Sequence, residues 1–278
     1  MKIYISVDVD GIGSLAESTI MSGYPPLLWV QELVTREVNA AVEGALEGGA
    51  GTVVVNENHS SRHILPELLH PQAEFMAGRP KPMMTLDDLD DSFDAVFLVG
   101  IHARAGTPSA VMDHTWDFRV MNLRINDVTI GEVGLNALLA GYHGVPIALV
   151  TGDDKVAQEA KELLGDVETV VVKKGRDRHA ARCLHPTQAR EIIKAGAVRS
   201  LREINRFKTF DLGTPIRMEI DFTETVFAHW ASYVPTAERV GPRTVGITLD
   251  DFEQAMRAFL VMLAASGIGE PIAYSSAS

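Results

Sequence analysis

The stretch PIALVTGDDKVAQEAKELLGDVETVVVKK, residues 146–174, contains an apolar run, an amphipathic segment and a second apolar run in direct succession. Gly152-Asp153-Asp154 separates the first run from the amphipathic segment, and Gly165 marks its end. Short apolar runs of this type are typical of buried parallel strands, and parallel neighbours need a crossover connection such as a helix. The stretch therefore predicts a strand, a helix and a parallel strand.

The same pattern occurs at the start of the chain. KIYISV (2–7) and TVVVN (52–56) predict strands, and the apolar periodicity between Pro25-Pro26 and Gly48-Gly49 predicts the connecting helix. AVFLVG (95–100) predicts a further strand. We therefore predict an α/β fold with a mostly parallel central sheet flanked by helices.

One segment interrupts this pattern. VMNLRINDVTI (120–130) alternates around Asn126-Asp127 and predicts a tight hairpin, followed at once by a helix in GEVGLNALLAGYHG.

Beyond Arg176 the pattern loosens into a helix from about Pro186 to Asn205, a strand in PIRMEIDF, and a final helix that begins at Asp250-Asp251. We interpret residues 1–175 as a metal-binding catalytic α/β region and residues 176–278 as a smaller C-terminal α+β lobe.

Composition limits the possible functions. At 278 residues and 46% apolar content the chain can bury a large core, and its single cysteine, Cys183, favours a reducing compartment. The N-terminus lacks an apolar export signal and no long uncharged apolar run occurs, so we expect a soluble cytoplasmic protein. The net charge of −12 disfavours nucleic acid and favours a metal or an amine-bearing substrate.

Ligand-type side chains follow the predicted strands. In open α/β sheets, sites form at the carboxyl ends of strands. The residues at these positions that could bind a metal are Asp8 and Asp10 after the first strand, His59 after the second, His102 after the third, and Glu132 in the first turn of the helix that follows the hairpin. We expect the chain to turn at Gly11, so that Asp8 and Asp10 both reach one centre where the strand ends.

Two imidazoles and three carboxylates form a mixed nitrogen and oxygen donor set, which favours zinc over magnesium or calcium. Five donors exceed the needs of one tetrahedral ion and match a two-metal site that activates water for hydrolysis. Each residue also has a simpler explanation: the aspartates as turn formers, His59 as a loop residue, His102 as a core histidine, and Glu132 as a partner of the helix dipole. A metal site is nevertheless favoured over these separate explanations, because such residues occur at the ends of four different predicted elements.

The loop after His102 reads HARAGTPSAVMDHTW and contains His114. At neutral pH this histidine could act as an acid/base group or as an oxyanion stabiliser, or it could simply form hydrogen bonds within its loop. Neither a GxxxxGK[ST] nor a GxGxxG motif occurs, so no nucleotide cofactor is predicted.

Five segments together resemble the zinc-dependent D-aminopeptidases related to the bacterial dipeptide-transport-operon protein (peptidase family M55). They are SVDVDG (6–11), VNENHS (55–60), GIHARAGTP (100–108), VMDH (111–114) and INDVTIGEVGLNALLAGYHGVP (125–146). The resemblance extends over nearly the whole chain. One position departs from it, because the family motif SxDxEG has a glutamate where this chain has Asp10.

The resemblance implies two zinc ions per chain bound by Asp8, Asp10, His59, His102 and Glu132, with Asp8 as the bridge and His114 as the catalytic residue. It also implies a short-peptide substrate and a ring-like homo-oligomer such as a decamer. We therefore expect a metallo-aminopeptidase that removes an N-terminal residue, with the D configuration favoured. The alternatives are a dinuclear hydrolase of another amide or of a phosphoester, which arginines at the site would favour, and a non-enzymatic peptide-binding protein of transport.

Overall fold

The computed structural model describes residues 1–17, 27–59 and 62–270. The Pro25-Pro26 pair, at which the first helix was predicted to begin, and Ser60 lie outside these residues. The chain divides into two compact units, Met1–Asp113 with Glu132–Phe210, and His114–Gly131 with Asp211–Ser278.

The first unit contains a seven-stranded sheet in the order β3-β2-β1-β4-β7-β8-β9, with strands numbered along the whole chain. Every neighbouring pair is parallel except β8 and β9. The strands are β1 (Lys2–Val7), β2 (Thr52–Glu57), β3 (Ala73–Met76), β4 (Ala95–Val99), β7 (Ile147–Asp153), β8 (Glu168–Asp177) and β9 (Ala180–Cys183). The helices are α1 (Leu27–Glu47), α2 (Glu132–Tyr142), α3 (Asp154–Leu164) and α4 (Pro186–Arg202).

Side chains alternate between the two faces of β1, and one face is covered by helices. Ile3, Ile5 and Val7 join a continuous apolar core with the buried faces of α1 and α4. The two helices approach closely at Gly44, where a Cβ atom would lie 2.4 Å from a main-chain oxygen of α4. On the opposite face, the Ser6 hydroxyl donates a hydrogen bond to the Thr85 carbonyl.

The second unit contains an antiparallel sheet in the order β11-β12-β10-β5-β6. Its strands are β5 (Val120–Ile125), β6 (Val128–Ile130), β10 (Ile216–Phe222), β11 (Glu238–Arg239) and β12 (Thr244–Leu249), and its helices are α5 (Thr225–Ala231) and α6 (Phe252–Ser266). The predicted hairpin is confirmed, since Asn126 and Asp127 both have positive φ, as a two-residue turn between twisted strands requires. Asp251 caps α6 by accepting a hydrogen bond from the Gln254 amide.

The contacts divide the chain differently from the predicted boundary at residue 176. That residue lies inside β8, which pairs with β9, and α4 packs on α1 in the first unit. The hairpin, which precedes the predicted boundary, pairs instead with β10 in the second unit. Short 3₁₀ turns occur at Pro66–Leu68, Met84–Leu86, Ile204–Arg206 and Gly267–Gly269. Among the described residues, no helix combines the length and the apolar character needed to cross a membrane.

Glu37 is a buried carboxyl group in the middle of α1, and the Gly13 amide donates a hydrogen bond of 3.1 Å to it. Burial raises the pKa of Glu37 to about 7 from an ordinary value of 4.5, against the lowering effect of that hydrogen bond. Between these two pH values the folded protein keeps a proton that the unfolded chain releases. The free energy of unfolding should therefore fall as the pH rises through this window, by about 3 kcal/mol from this group.

Glu37→Gln should flatten this dependence, because glutamine still accepts the Gly13 hydrogen bond but does not titrate. Urea unfolding at pH 5 and pH 7.5 measures the difference, with a chelator present so that metal binding adds no pH dependence of its own. Glu43→Gln, on the exposed face of the same helix, is the matched control. An equal pH dependence in Glu37→Gln and the unmodified protein would contradict this account.

Candidate metal centre

The chain leaves the sheet directly after β1. The Asp8 amide donates to the Val99 carbonyl at 2.9 Å, and the Gly11 amide donates to the Gly100 carbonyl at 2.7 Å, so the loop runs along the end of β4. A Cβ atom at Gly11 would lie 2.0 Å from the Ile101 carbonyl oxygen. Glycine is required here because no other residue fits so close to a neighbouring main chain. Asp8 and Asp10 therefore lie just past the end of β1, in the loop that runs along the end of β4.

Asp8 lies between the two predicted histidines. Its Oδ1 is 3.0 Å from His59 Nδ1, and its Oδ2 is 3.7 Å from His102 Nε2. Glu132 Oε1 is 3.1 Å from the same His102 nitrogen. The beginning of α2 thus places a carboxylate beside a histidine that follows β4.

Within the first unit, the donor atoms form two groups of three that share one residue. Asp8, Asp10 and His59 form one group, and Asp8, His102 and Glu132 form the other, with the donor atoms of each group within 4.8 Å of one another. Four of these side chains are buried and His59 is partly buried. This mixture of imidazole nitrogens and carboxylate oxygens fits zinc, and two groups with a common carboxylate fit two ions with a bridge.

Electrostatics at this cluster favour a cation. Burial lowers the pKa of His102, but the charges of Glu132 and Asp8 and a hydrogen bond to Glu132 outweigh it and raise the pKa to about 10. Burial likewise lowers the pKa of His59, but the interactions with Asp8 and Asp10 outweigh this effect, so the pKa is raised overall. The excess of negative charge that causes these shifts would also attract a metal ion.

His102 is oriented by its own main chain. Its Nδ1 lies 3.0 Å from the Ala103 carbonyl oxygen, which can only accept a hydrogen bond. Nδ1 therefore carries a proton, and Nε2 faces Asp8 and Glu132. A hydrogen bond from the second ring nitrogen to a carbonyl is the usual arrangement around a metal-binding histidine.

A model of the D-aminopeptidase family matches residues 1–261. The chain belongs to this family. A D-aminopeptidase from Bacillus subtilis (strain 168) is 38% identical over 267 residues, which cover 94% of this chain and 96% of that protein. The solved structure of the Zn-dependent D-aminopeptidase DppA from Bacillus subtilis, a self-compartmentalizing protease, superposes with a TM-score of 0.93 at 35% identity, covering 96% of this chain and 98% of the other. These matches confirm the predicted resemblance, the fold class and the peptidase class of enzyme.

In this member of the D-aminopeptidase family, His114 is the first residue of the second unit. Its ring packs against Phe118, with 5.2 Å between the ring centroids, and its side chain is partly exposed. The residue before it, Asp113, pairs with Arg178 at 3.0 Å and accepts a hydrogen bond from the Gly106 amide. The chain that leads to His114 is therefore fixed in the first unit.

The acidic turn at residues 152–154 has a structural role. Asp153 caps α3 by accepting hydrogen bonds from the Lys155 and Val156 amides, and its second oxygen accepts one from Val111 at 2.7 Å. Asp154 accepts a hydrogen bond from the Gly175 amide. These carboxylates connect the loop after β4 to α3 and β8.

Sequence patterns did not single out the residues that support His59. Lys81 Nζ donates to the Glu57 carbonyl at 2.6 Å, and Arg79 Nη1 donates to the Asn58 carbonyl at 2.7 Å. His63 is buried, and its ring centroid lies 5.0 Å from that of His59. Both cationic side chains donate hydrogen bonds to main-chain carbonyls. Because every residue has a carbonyl, no sequence motif predicts these contacts.

Proposed function

We propose that this chain is a zinc-dependent D-aminopeptidase that removes the N-terminal residue of short peptides. The observation that carries the proposal is the pair of three-residue groups that share Asp8. Membership of the D-aminopeptidase family and the zinc dependence of the structural relative support the same conclusion.

The proposed ligands of two zinc ions are the five side chains of these groups, Asp8, Asp10, His59, His102 and Glu132, with Asp8 as the bridge. Asp10 is one methylene shorter than the glutamate of the family motif. Its carboxylate nevertheless belongs to the group that contains Asp8 and His59, so the shorter side chain is long enough to join these donors.

Bound zinc would supply Lewis acidity and lower the pKa of a coordinated water. The residues of the chain would supply the other functions. Asp8 and Asp10 would attract the free amine of the peptide in addition to binding metal. His114 would donate a hydrogen bond or a proton to the reacting amide through its imidazole N–H.

The position of Arg79 favours a second candidate function, the hydrolysis of phosphoesters. Its guanidinium donates a hydrogen bond to the Asn58 carbonyl, next to His59 in the chain. Burial of the guanidinium lowers its pKa, while Glu132 and Asp8 oppose this effect, so the group lies within the field of the cluster. A guanidinium binds a phosphate or a peptide carboxylate equally well by charge, and family membership favours the peptide.

Assembly and location are part of the same proposal. The relative DppA is a self-compartmentalizing protease, and we infer a ring-like homo-oligomer, with a decamer as the proposed size, for this chain in the cytoplasm. A closed ring would restrict access to the site and limit substrates to short peptides.

A matched set of peptides tests the proposed reaction. D-aminoacyl dipeptides with a free amine should be cleaved, and their N-acetylated forms should lose roughly a hundred-fold in kcat/KM, because acetylation removes the charge that pairs with the site carboxylates, worth about 3 kcal/mol when desolvated. The matched L-aminoacyl dipeptides should be poorer substrates. Release of the amino acid by the zinc-loaded protein is the measurement.

An aryl phosphate serves as the control substrate for the second candidate. Comparable turnover of free and acetylated peptides, or faster turnover of the aryl phosphate than of any peptide, would exclude aminopeptidase activity as the main function.

A further inference from the structure

Three main-chain carbonyls of the loop after β1 converge on one buried side chain. Lys173 Nζ donates hydrogen bonds to the carbonyl oxygens of Asp10 at 2.7 Å, Ile12 at 2.9 Å and Leu15 at 2.7 Å. Lys173 is 1% exposed. An ammonium group has three donors, and these three bonds use all of them.

The lysine belongs to a distant strand. Lys173 lies on β8, and β4 and β7 lie between β1 and β8 in the sheet. The loop therefore crosses the ends of two strands to reach the ammonium group. The approach at these strand ends is close, since a Cβ atom at Gly152 of β7 would lie 2.3 Å from the Ile101 carbonyl oxygen.

The two aspartates of the loop are fixed by different means. The Asp8 amide is bonded to Val99 of β4, so the sheet itself positions Asp8. Asp10 lies beyond that contact; its carbonyl is bonded to Lys173, and the Gly11 amide of the same peptide group is bonded to the Gly100 carbonyl. The glycines at positions 11 and 13 leave the following backbone with much conformational freedom unless contacts such as these restrict it.

We propose that Lys173 is a positioning residue for the metal group that contains Asp10, acting through the main chain of the loop. The inference rests on the proposed function only in taking Asp10 as a metal ligand. The hydrogen bonds of Lys173 are to main-chain carbonyls rather than to the donor atoms, and it acts by fixing the Asp10 carbonyl and hence the direction of the Asp10 side chain.

Lys173→Met tests this inference, because methionine retains an unbranched apolar side chain without the three donors. Zinc affinity is measured by titrating the metal-free full-length protein against a chromophoric chelator. One of the two zinc equivalents should bind 10- to 100-fold more weakly, the range found when a residue that orients a metal ligand is removed, and the other should change by less than about threefold. Lys173→Gln keeps two donors, so its zinc affinity should lie between those of Lys173→Met and the unmodified protein. It replaces the methionine variant if that variant does not fold.

Leu201→Ala controls for lost stability. Leu201 is buried on α4 beside Gly48, just past the end of α1, so its truncation destabilises the first unit without touching the loop. It should lower the Tm while both zinc affinities stay unchanged. If Leu201→Ala weakens zinc binding as much as Lys173→Met at an equal loss of Tm, Lys173 has no positioning role.

A double-mutant cycle with Asp10→Ala gives the decisive readout. Asp10→Ala should weaken the same zinc equivalent, and adding Lys173→Met should then change its affinity by less than about threefold, because the lysine acts only through Asp10. Independent, multiplying losses would overturn the inference while leaving the ligand assignment intact. Unchanged zinc binding in Asp10→Ala would instead remove the ligand assignment and the inference together.

Discussion

Asp8→Ala is expected to lose both zinc ions, whereas Asp10→Ala should retain about one equivalent. The reason is the shared position of Asp8, whose carboxylate belongs to both three-residue groups of the first unit, while Asp10 belongs only to the one of these two that contains His59. Losing a bridging ligand leaves each ion with one donor fewer, and it also removes the negative charge that separates two dications. Elemental analysis after equilibration with zinc and gel filtration measures the stoichiometry.

Asp154→Ala is the matched control for this experiment. Asp154 is also an aspartate that follows a strand, but its carboxylate accepts a hydrogen bond from the Gly175 amide and belongs to neither group. It should retain two zinc ions. Equal losses from Asp8→Ala and Asp10→Ala would remove the bridging assignment, and at most one ion in the unmodified protein under zinc-replete conditions would exclude a two-metal centre.

His114→Ala is expected to retain both zinc ions and to lose on the order of a hundred- to ten-thousand-fold in activity, mostly in kcat. We assign His114 to the reacting amide because the five proposed ligands supply three donor residues to each ion through the shared Asp8. A group that assists only the transition state lowers kcat when it is removed and changes KM little.

The comparison with His179→Ala controls for the loss of a histidine as such, because His179 is exposed and lies outside the metal groups. That variant should keep its metal and its activity. Release of zinc from His114→Ala would make this residue a ligand and require a revision of the five. Retention of both metal and full activity would assign His114 a purely local role in its loop.

Local sequence determined most elements of the first sheet. Runs such as Lys2–Val7 and Ala95–Val99 are buried almost throughout, as strands covered on both faces must be, so their composition alone predicts a parallel sheet. The positions of the proposed ligands followed from the same regularity, because the carboxyl ends of parallel strands lie at one edge. The turn at Asn126-Asp127 and the cap at Asp251 were likewise predictable, since each depends on a few adjacent residues.

The division into units could not be predicted in this way. The hairpin at residues 120–130 has the alternation of a half-buried antiparallel strand pair, but its partner, β10, begins at Ile216. Pairing between strands so far apart in the sequence depends on which sheet edges remain available as the chain folds. Local composition therefore does not predict it. Residues 176–210 joined the first unit for the corresponding reason, because β9 and α4 complete its sheet and its core.

The sequence by itself determined the class of fold, the side chains capable of binding metal and the strand ends at which they lie, because each of these depends on neighbouring residues. Only the tertiary structure decided that Asp8 belongs to both metal groups and that Lys173 fixes the loop that carries Asp10. Both depend on distances between segments far apart in the chain. The contacts of Lys173 are to main-chain carbonyls, which every residue has, so no residue pattern in the sequence predicts them.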